Sequence, residues 1–147
     1  MKASLVLLLS VFLITSQSVF SQNDSINYQR PYDMVEESPV YPGGEEALFE
    51  YLLSNIQYPV DAKESNIEGT VYVAFVIETD GMVSNVKILR GIGGGCDEEA
   101  VRVVKGMPKW APGKQRGKPV RVLFTLPIKF VLSDDADGPT KASGKAE

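Results

Sequence analysis

The stretch Gly69 to Arg90, GTVYVAFVIETDGMVSNVKILR, decides the fold. Val71, Val73, Phe75 and Ile77 alternate with Thr70, Tyr72, Ala74 and Glu78. A period of two is that of a strand with one buried face. Thr79-Asp80-Gly81-Met82 interrupts the alternation, and Asp-Gly tolerates the positive φ angles of a tight two-residue turn. Val83 to Arg90 is therefore expected to return as a second strand.

Outward from this hairpin, the period changes. Leu48, Tyr51, Leu52 and Ile56 recur at helical spacing behind Gly43-Gly44-Glu45-Glu46, which predicts a helix from Gly44 to Asn55. Tyr58-Pro59 opens a second, short helix through Ser65, with Pro59 in its first turn. Beyond the hairpin, a glycine-rich loop (Gly91 to Gly95) leads to a third helix, with Asp97 as its cap and Glu98 and Glu99 in its first turn. Ala100, Val101, Val104 and Met107 give that helix its apolar side, and Gly106 and Pro108 end it. Last comes a long strand, Lys118 to Leu132, with Val120, Val122, Phe124, Leu126, Ile128 and Phe130 on one side. The expected fold is α+β, a small antiparallel three-stranded sheet with helices packed on one face. Pro127 cannot donate to a ladder, so the last strand belongs at an edge or carries a bulge. An edge strand offers unpaired backbone groups to another chain.

The ends read differently. Lys2 followed by the apolar Leu5 to Ile14, and Val19-Phe20-Ser21 at the junction, predict a secretory signal peptide over residues 1–21. The apolar part is shorter than the ~20 residues a spanning helix needs. Residues 22–42, with Pro31, Pro39 and Pro42, read as a flexible or extended lead-in. Residues 43–132 form the folded unit, and 133–147 (SDDADGPTKASGKAE) a disordered polar tail. The 147 residues, 44% hydrophobic, suffice for one domain. A net charge of −4 argues against a general nucleic-acid binder.

The ordered set Gln57-Tyr58-Pro59, Ala62, Gly69, Val71, Val73, Phe75, Asp80-Gly81, Val83, Val86 and Ile88 resembles the TonB C-terminal domain family. Ala100, Val104, Trp110, Pro112-Gly113, Gly117, Val120, Val122, Phe124 and Phe130 continue the resemblance, and Tyr41-Pro42-Gly43-Gly44 is similar to the lead-in of Bacteroidetes-type members. The resemblance implies a periplasmic module that binds the N-terminal box peptide of outer-membrane TonB-dependent receptors by strand addition, in energy-coupled transport. It implies a contact surface of Gln57, Tyr58 and Pro59 together with Val120, Arg121, Val122, Leu123, Phe124, Thr125 and Leu126. Inner-membrane motor proteins are implied as further partners. Two features depart from the family's transducers: in place of a retained membrane helix carrying a histidine the chain has no histidine and a leader that reads as cleavable, and in place of a long proline-rich spacer it has only Gln22 to Pro42.

Enzyme chemistry finds little support. Cys96 has no histidine to act as its base, and acids surround it. Gly91 to Gly95 lacks the Lys-Ser/Thr of a phosphate loop. Glu98 and Glu99 are adjacent on a helix and diverge. Without histidine or clustered cysteines no metal site is expected, and no cofactor either. From Ala100 to Ser133 there is no acid, but there are Arg102, Lys105, Lys109, Lys114, Arg116, Lys118, Arg121 and Lys129. That run reads either as a docking face for an acidic peptide or anionic envelope material, or as a solvated face. The alternative function is a stand-alone structural or regulatory module that dimerises through its edges or binds cell-wall material. Trp110 reads as a core anchor.

Overall fold

The computed structural model describes residues 30–132. The expected leader, the first part of the lead-in and the polar tail lie outside them. The alternating stretch forms β1 (Gly69–Ile77), and the return forms β2 (Val83–Arg90). The last strand, β5 (Val122–Phe130), pairs antiparallel with the other side of β1, so the sheet order is β2-β1-β5. The β1–β5 register runs unbroken from Gly69↔Phe130 to Ile77↔Val122. Val71, Val73, Phe75 and Ile77 therefore share a face with Ile128, Leu126, Phe124 and Val122 opposite them.

Two helices cover that face. Helix α1 (Gly44–Asn55) buries Leu48 and Leu52, four apart on one stripe. Helix α3 (Cys96–Lys105) buries Cys96, Ala100, Val103 and Val104. The short α2 (Val60–Glu64) contributes Ala62. Fully burying a side chain such as Phe75, Ile77, Ile128 or Phe130 is worth about 1.5–3 kcal/mol each, so this seam attaches the helices. The two main helices are also tied to each other. The Tyr51 hydroxyl donates to Val103 O at 3.0 Å, and Arg102 Nη2 donates to Asn55 O at 2.7 Å.

The structure corrects four expectations. The hairpin between β1 and β2 is wider than two residues: Gly81 N–H donates to Glu78 O at 2.9 Å and Glu78 N–H to Met82 O at 2.8 Å. The Asp80 side chain accepts from Met82 N–H, so Asp-Gly here makes a longer turn. The tight two-residue turn lies instead at Arg116-Gly117, both at positive φ, where β3 (Lys114–Gln115) and β4 (Lys118–Pro119) form their own ribbon. That ribbon shortens the last strand, leaving Val120 and Arg121 before it. Asp97 is not the cap of α3. Gly95 is, and the Asp97 carboxylate turns back to accept from Ile92 N–H (2.8 Å) and Gly93 N–H (3.3 Å), fastening the glycine loop. Finally, Val103 rather than Val101 is buried on α3: seven residues after Cys96 and three after Ala100, it falls on the stripe those two bury.

Candidate strand-accepting edge

The lead-in reaches the sheet before α1 begins. Tyr32 N–H donates to Arg121 O at 2.8 Å, and Leu123 N–H donates to Tyr32 O at 2.9 Å, a parallel bridge onto the start of β5. Further along, Glu37 pairs with Lys114 and Val40 with Ala111. Tyr41 is buried against Trp110, ring centroids 5.3 Å apart and nearly perpendicular. The lead-in is thus extended and fastened at three bridges from residue 32 on. An aromatic side chain in a polar, proline-rich stretch was the signal for this in the sequence.

The bridge fixes which backbone groups of β5 face away from β1. Arg121 and Leu123 point outward, so by alternation Thr125, Pro127 and Lys129 do too. Pro127 stands opposite Tyr72, and its missing donor falls on the outer side, where it costs the β1 ladder nothing. Beyond the Tyr32 bridge the outer edge keeps donors at Thr125 and Lys129 and acceptors at Leu123, Thr125, Pro127 and Lys129, none with a partner among the described residues.

This parity sorts the residues marked from sequence. Val122, Phe124 and Leu126 spend their main-chain groups on β1, while Arg121, Leu123 and Thr125 present theirs outward. Val120 N–H closes the small ribbon by donating to Gly113 O at 2.9 Å. Gln57, Tyr58 and Pro59 sit at the far end. The Tyr58 ring packs edge-on to Phe130 at 5.6 Å, and its hydroxyl donates to Ile67 O. Gln57 N–H donates to Glu99 Oε1 at 2.7 Å, and Pro59 lies against Gly95. The structure does not bring these three beside Val120 and Arg121. Of the three, Tyr58 meets the Phe130 end of the same strand, while Gln57 and Pro59 meet Glu99 and Gly95 at the start of α3.

Two hollows border the free edge. On the helix side, a cavity of ≈ 340 Å³ is lined by Leu48, Phe49, Leu52, Trp110, Phe124 and Leu126 among others. On the open side of the sheet, one of ≈ 810 Å³ is lined by Thr70, Tyr72, Thr125, Lys129, Asp33 and Met34 among others. Sequence reading alone did not find either, because both need the lead-in as a wall.

Next to the bridge, Glu78 and Arg121 form a fork, Nε to Oε2 at 2.7 Å and Nη2 to Oε1 at 3.0 Å, with the Ser84 hydroxyl donating to the same carboxylate. The Arg121 hydrogen bonds hold the Glu78 carboxyl below its ordinary range, against the opposing effect of burial. Glu99 is lowered likewise, chiefly by Arg102. A depressed carboxylate adds stability above its unfolded pKa and loses it as pH falls through the folded value. Stability should therefore hold from pH 7 to about pH 5 and fall below about pH 4.3, the ordinary glutamate value. In chemical denaturation, the deficit of Glu78→Gln should be full at pH 7 and shrink toward pH 3. A deficit independent of pH would mean the fork adds nothing through its charge.

Cys96 is fully buried, and burial, helped by Asp97, Glu98 and Glu99, pushes its thiol pKa up, away from the reactive thiolate. Among the described residues no three His, Cys, Asp or Glu side chains are grouped to hold a metal, and no helix is long and apolar enough to cross a membrane.

An α+β unit with an open, flanked edge strand is of the class that can engage other chains through main-chain pairing. The chain belongs to the TonB C-terminal domain family: the family model described as the Gram-negative bacterial TonB protein C-terminal matches residues 54–132. That membership makes it a non-enzymatic interaction module of the cell envelope. Two solved structures of the Helicobacter pylori TonB C-terminal domain, both by NMR in solution, are similar to it. One, of residues 194–285, is 25% identical over 61% of this chain and 95% of that one, with a TM-score of 0.47. The other, of residues 179–285, is 24% identical over 58% and 78%, with a TM-score of 0.44. No curated protein matches the chain.

Proposed function

We propose that this chain is a TonB-like periplasmic module that binds an N-terminal box peptide of outer-membrane TonB-dependent receptors as an added strand on β5. The reading places it in energy-coupled transport, after removal of the leader at residues 1–21. The observation that carries it is the outward row of main-chain groups at Leu123, Thr125 and Lys129, without partners beyond the Tyr32 bridge among the described residues. Main-chain bonds would supply affinity, and the hollows on either side would read alternate side chains. Contact surfaces follow from the same geometry: the Leu123 carbonyl, Thr125 and Lys129 through the backbone, Phe124 and Leu126 through the groove wall, and Gln57 and Tyr58 toward the strand's far end.

Thr125→Pro is the sharpest test. The Thr125 N–H faces away from β1, so proline there breaks no ladder bond of the fold, whereas Leu123→Pro would break the bond to Tyr32. Receptor-peptide affinity, read by NMR titration, should fall at least about tenfold, a loss of roughly 1.4 kcal/mol. Lys114→Ala should leave it within about twofold, as expected of an exposed charge. Thermal melts of both variants verify that the fold is intact. Equal effects of the two substitutions would exclude strand addition at β5.

A further inference from the structure

The pleat of β5 makes a demand on whatever strand pairs with it. Successive side chains of an added strand point to opposite faces of the sheet. One set would enter the ≈ 340 Å³ groove on the helix side, walled by Leu48, Phe49, Leu52, Trp110, Phe124 and Leu126. The other set would lie over the open face, in the ≈ 810 Å³ hollow with Thr70, Tyr72, Thr125 and Lys129.

These two surroundings differ in charge. The groove walls are mainly apolar, with Glu45 their one charged residue and Ser38, Tyr41, Trp110 and Thr125 the others that carry a polar side-chain atom. The open face carries Lys129 on β5, with Lys87 opposite Ala74 and Arg90 opposite Tyr72 on β2. None of the three cations makes an ion pair among the described residues. Two acids stand at the ends of β1 and a third on the lead-in. Glu78 is held by Arg121, and Glu68 accepts from Leu132 N–H. Asp33 lines the hollow on the lead-in, which meets β5 at Val122, the end remote from Lys129. The hollow is therefore positive toward Lys129 and negative toward Asp33.

We propose that the edge selects an extended partner segment with apolar side chains on its helix-facing positions and a carboxylate on the open-face position beside Lys129. This rests on the strand-addition reading and adds the chemistry of the partner to it. An acid at the other end would meet Asp33 and be disfavoured, so the charge also sets the register of the added strand.

The test uses the full chain and two capped heptapeptides, one alternating valine with threonine, the other with the threonine nearest one end replaced by glutamate. At low salt the glutamate peptide should bind about threefold tighter, within the range of an exposed ion pair. The advantage should vanish at about 1 M salt, where the Debye length is about 3 Å. Lys129→Gln should remove the difference between the two peptides, bringing the glutamate peptide's affinity to that of the threonine peptide. Equal binding of both peptides to the unsubstituted chain would overturn the acid preference and leave strand addition standing. Binding of neither would overturn strand addition and the preference with it.

Discussion

Trp110→Ala should cost the fold about 3–5 kcal/mol, the range for removing a buried aromatic side chain. A domain of this size has about 5–15 kcal/mol in all, so the variant should be largely unfolded by modest urea. The indole is 4% exposed and meets three other rings: Tyr41 at 5.3 Å, Phe124 at 5.2 Å and Phe75 at 5.9 Å. It joins lead-in, central strand and edge strand at one point. Its Nε1 is buried and has no acceptor among the described residues, an arrangement that costs about 1–3 kcal/mol. Trp110→Phe keeps part of the ring packing and removes that orphaned donor, so it should cost much less than alanine. Equilibrium urea unfolding of both variants checks the pair. Equal losses would mean that ring packing is not what Trp110 contributes.

Gly81→Ala should destabilise by more than about 3 kcal/mol, because two separate costs coincide. Gly81 has φ +84, and a left-handed conformation costs an L-residue with a Cβ about 1–2 kcal/mol. A Cβ placed there would also lie 1.9 Å from Trp110 O. That carbonyl cannot retreat freely, since Trp110 N–H donates to Gly81 O at 2.9 Å and holds the two backbones together. Gly117→Ala separates the costs. Gly117 has φ +72, and a methyl added there would meet nothing within 4 Å, so only the conformational cost of about 1–2 kcal/mol applies. Thermal unfolding of the two variants should differ by several degrees. Similar melting temperatures would show that the loop around Trp110 yields to the extra methyl.

The helix from Gly44 to Asn55 and the strand from Val83 to Arg90 were legible to the residue, because apolar period and flanking glycines agree there. Pro127 pointed to an edge or a bulge for the last strand, and the sheet order makes it an edge. The β3–β4 ribbon was not legible. Arg116 at positive φ is unfavourable locally and is held by the pairing of Lys114 with Pro119 and by Glu36, which accepts from Arg116 N–H. The start of α3 was missed because Asp97 suits a cap, yet its carboxylate serves the preceding loop instead. The outward row at Thr125 and Lys129 could not be read at all without knowing the register with β1. Nor could the grooves, since their walls come from segments far apart in the chain.

The bridge from Tyr32 gives the edge an internal rival. Leu123 N–H can serve one acceptor at a time, and Tyr32 O already holds it. Fastened nearby at Glu37 and Val40, Tyr32 returns to that donor from a tether of only a few residues, at an effective concentration on the order of millimolar. Any segment long enough to need Leu123 as well as Thr125 must outcompete it, whereas one that stops at Thr125 need not. The length of edge on offer is then a population of two states, long and short, rather than a fixed dimension of the surface.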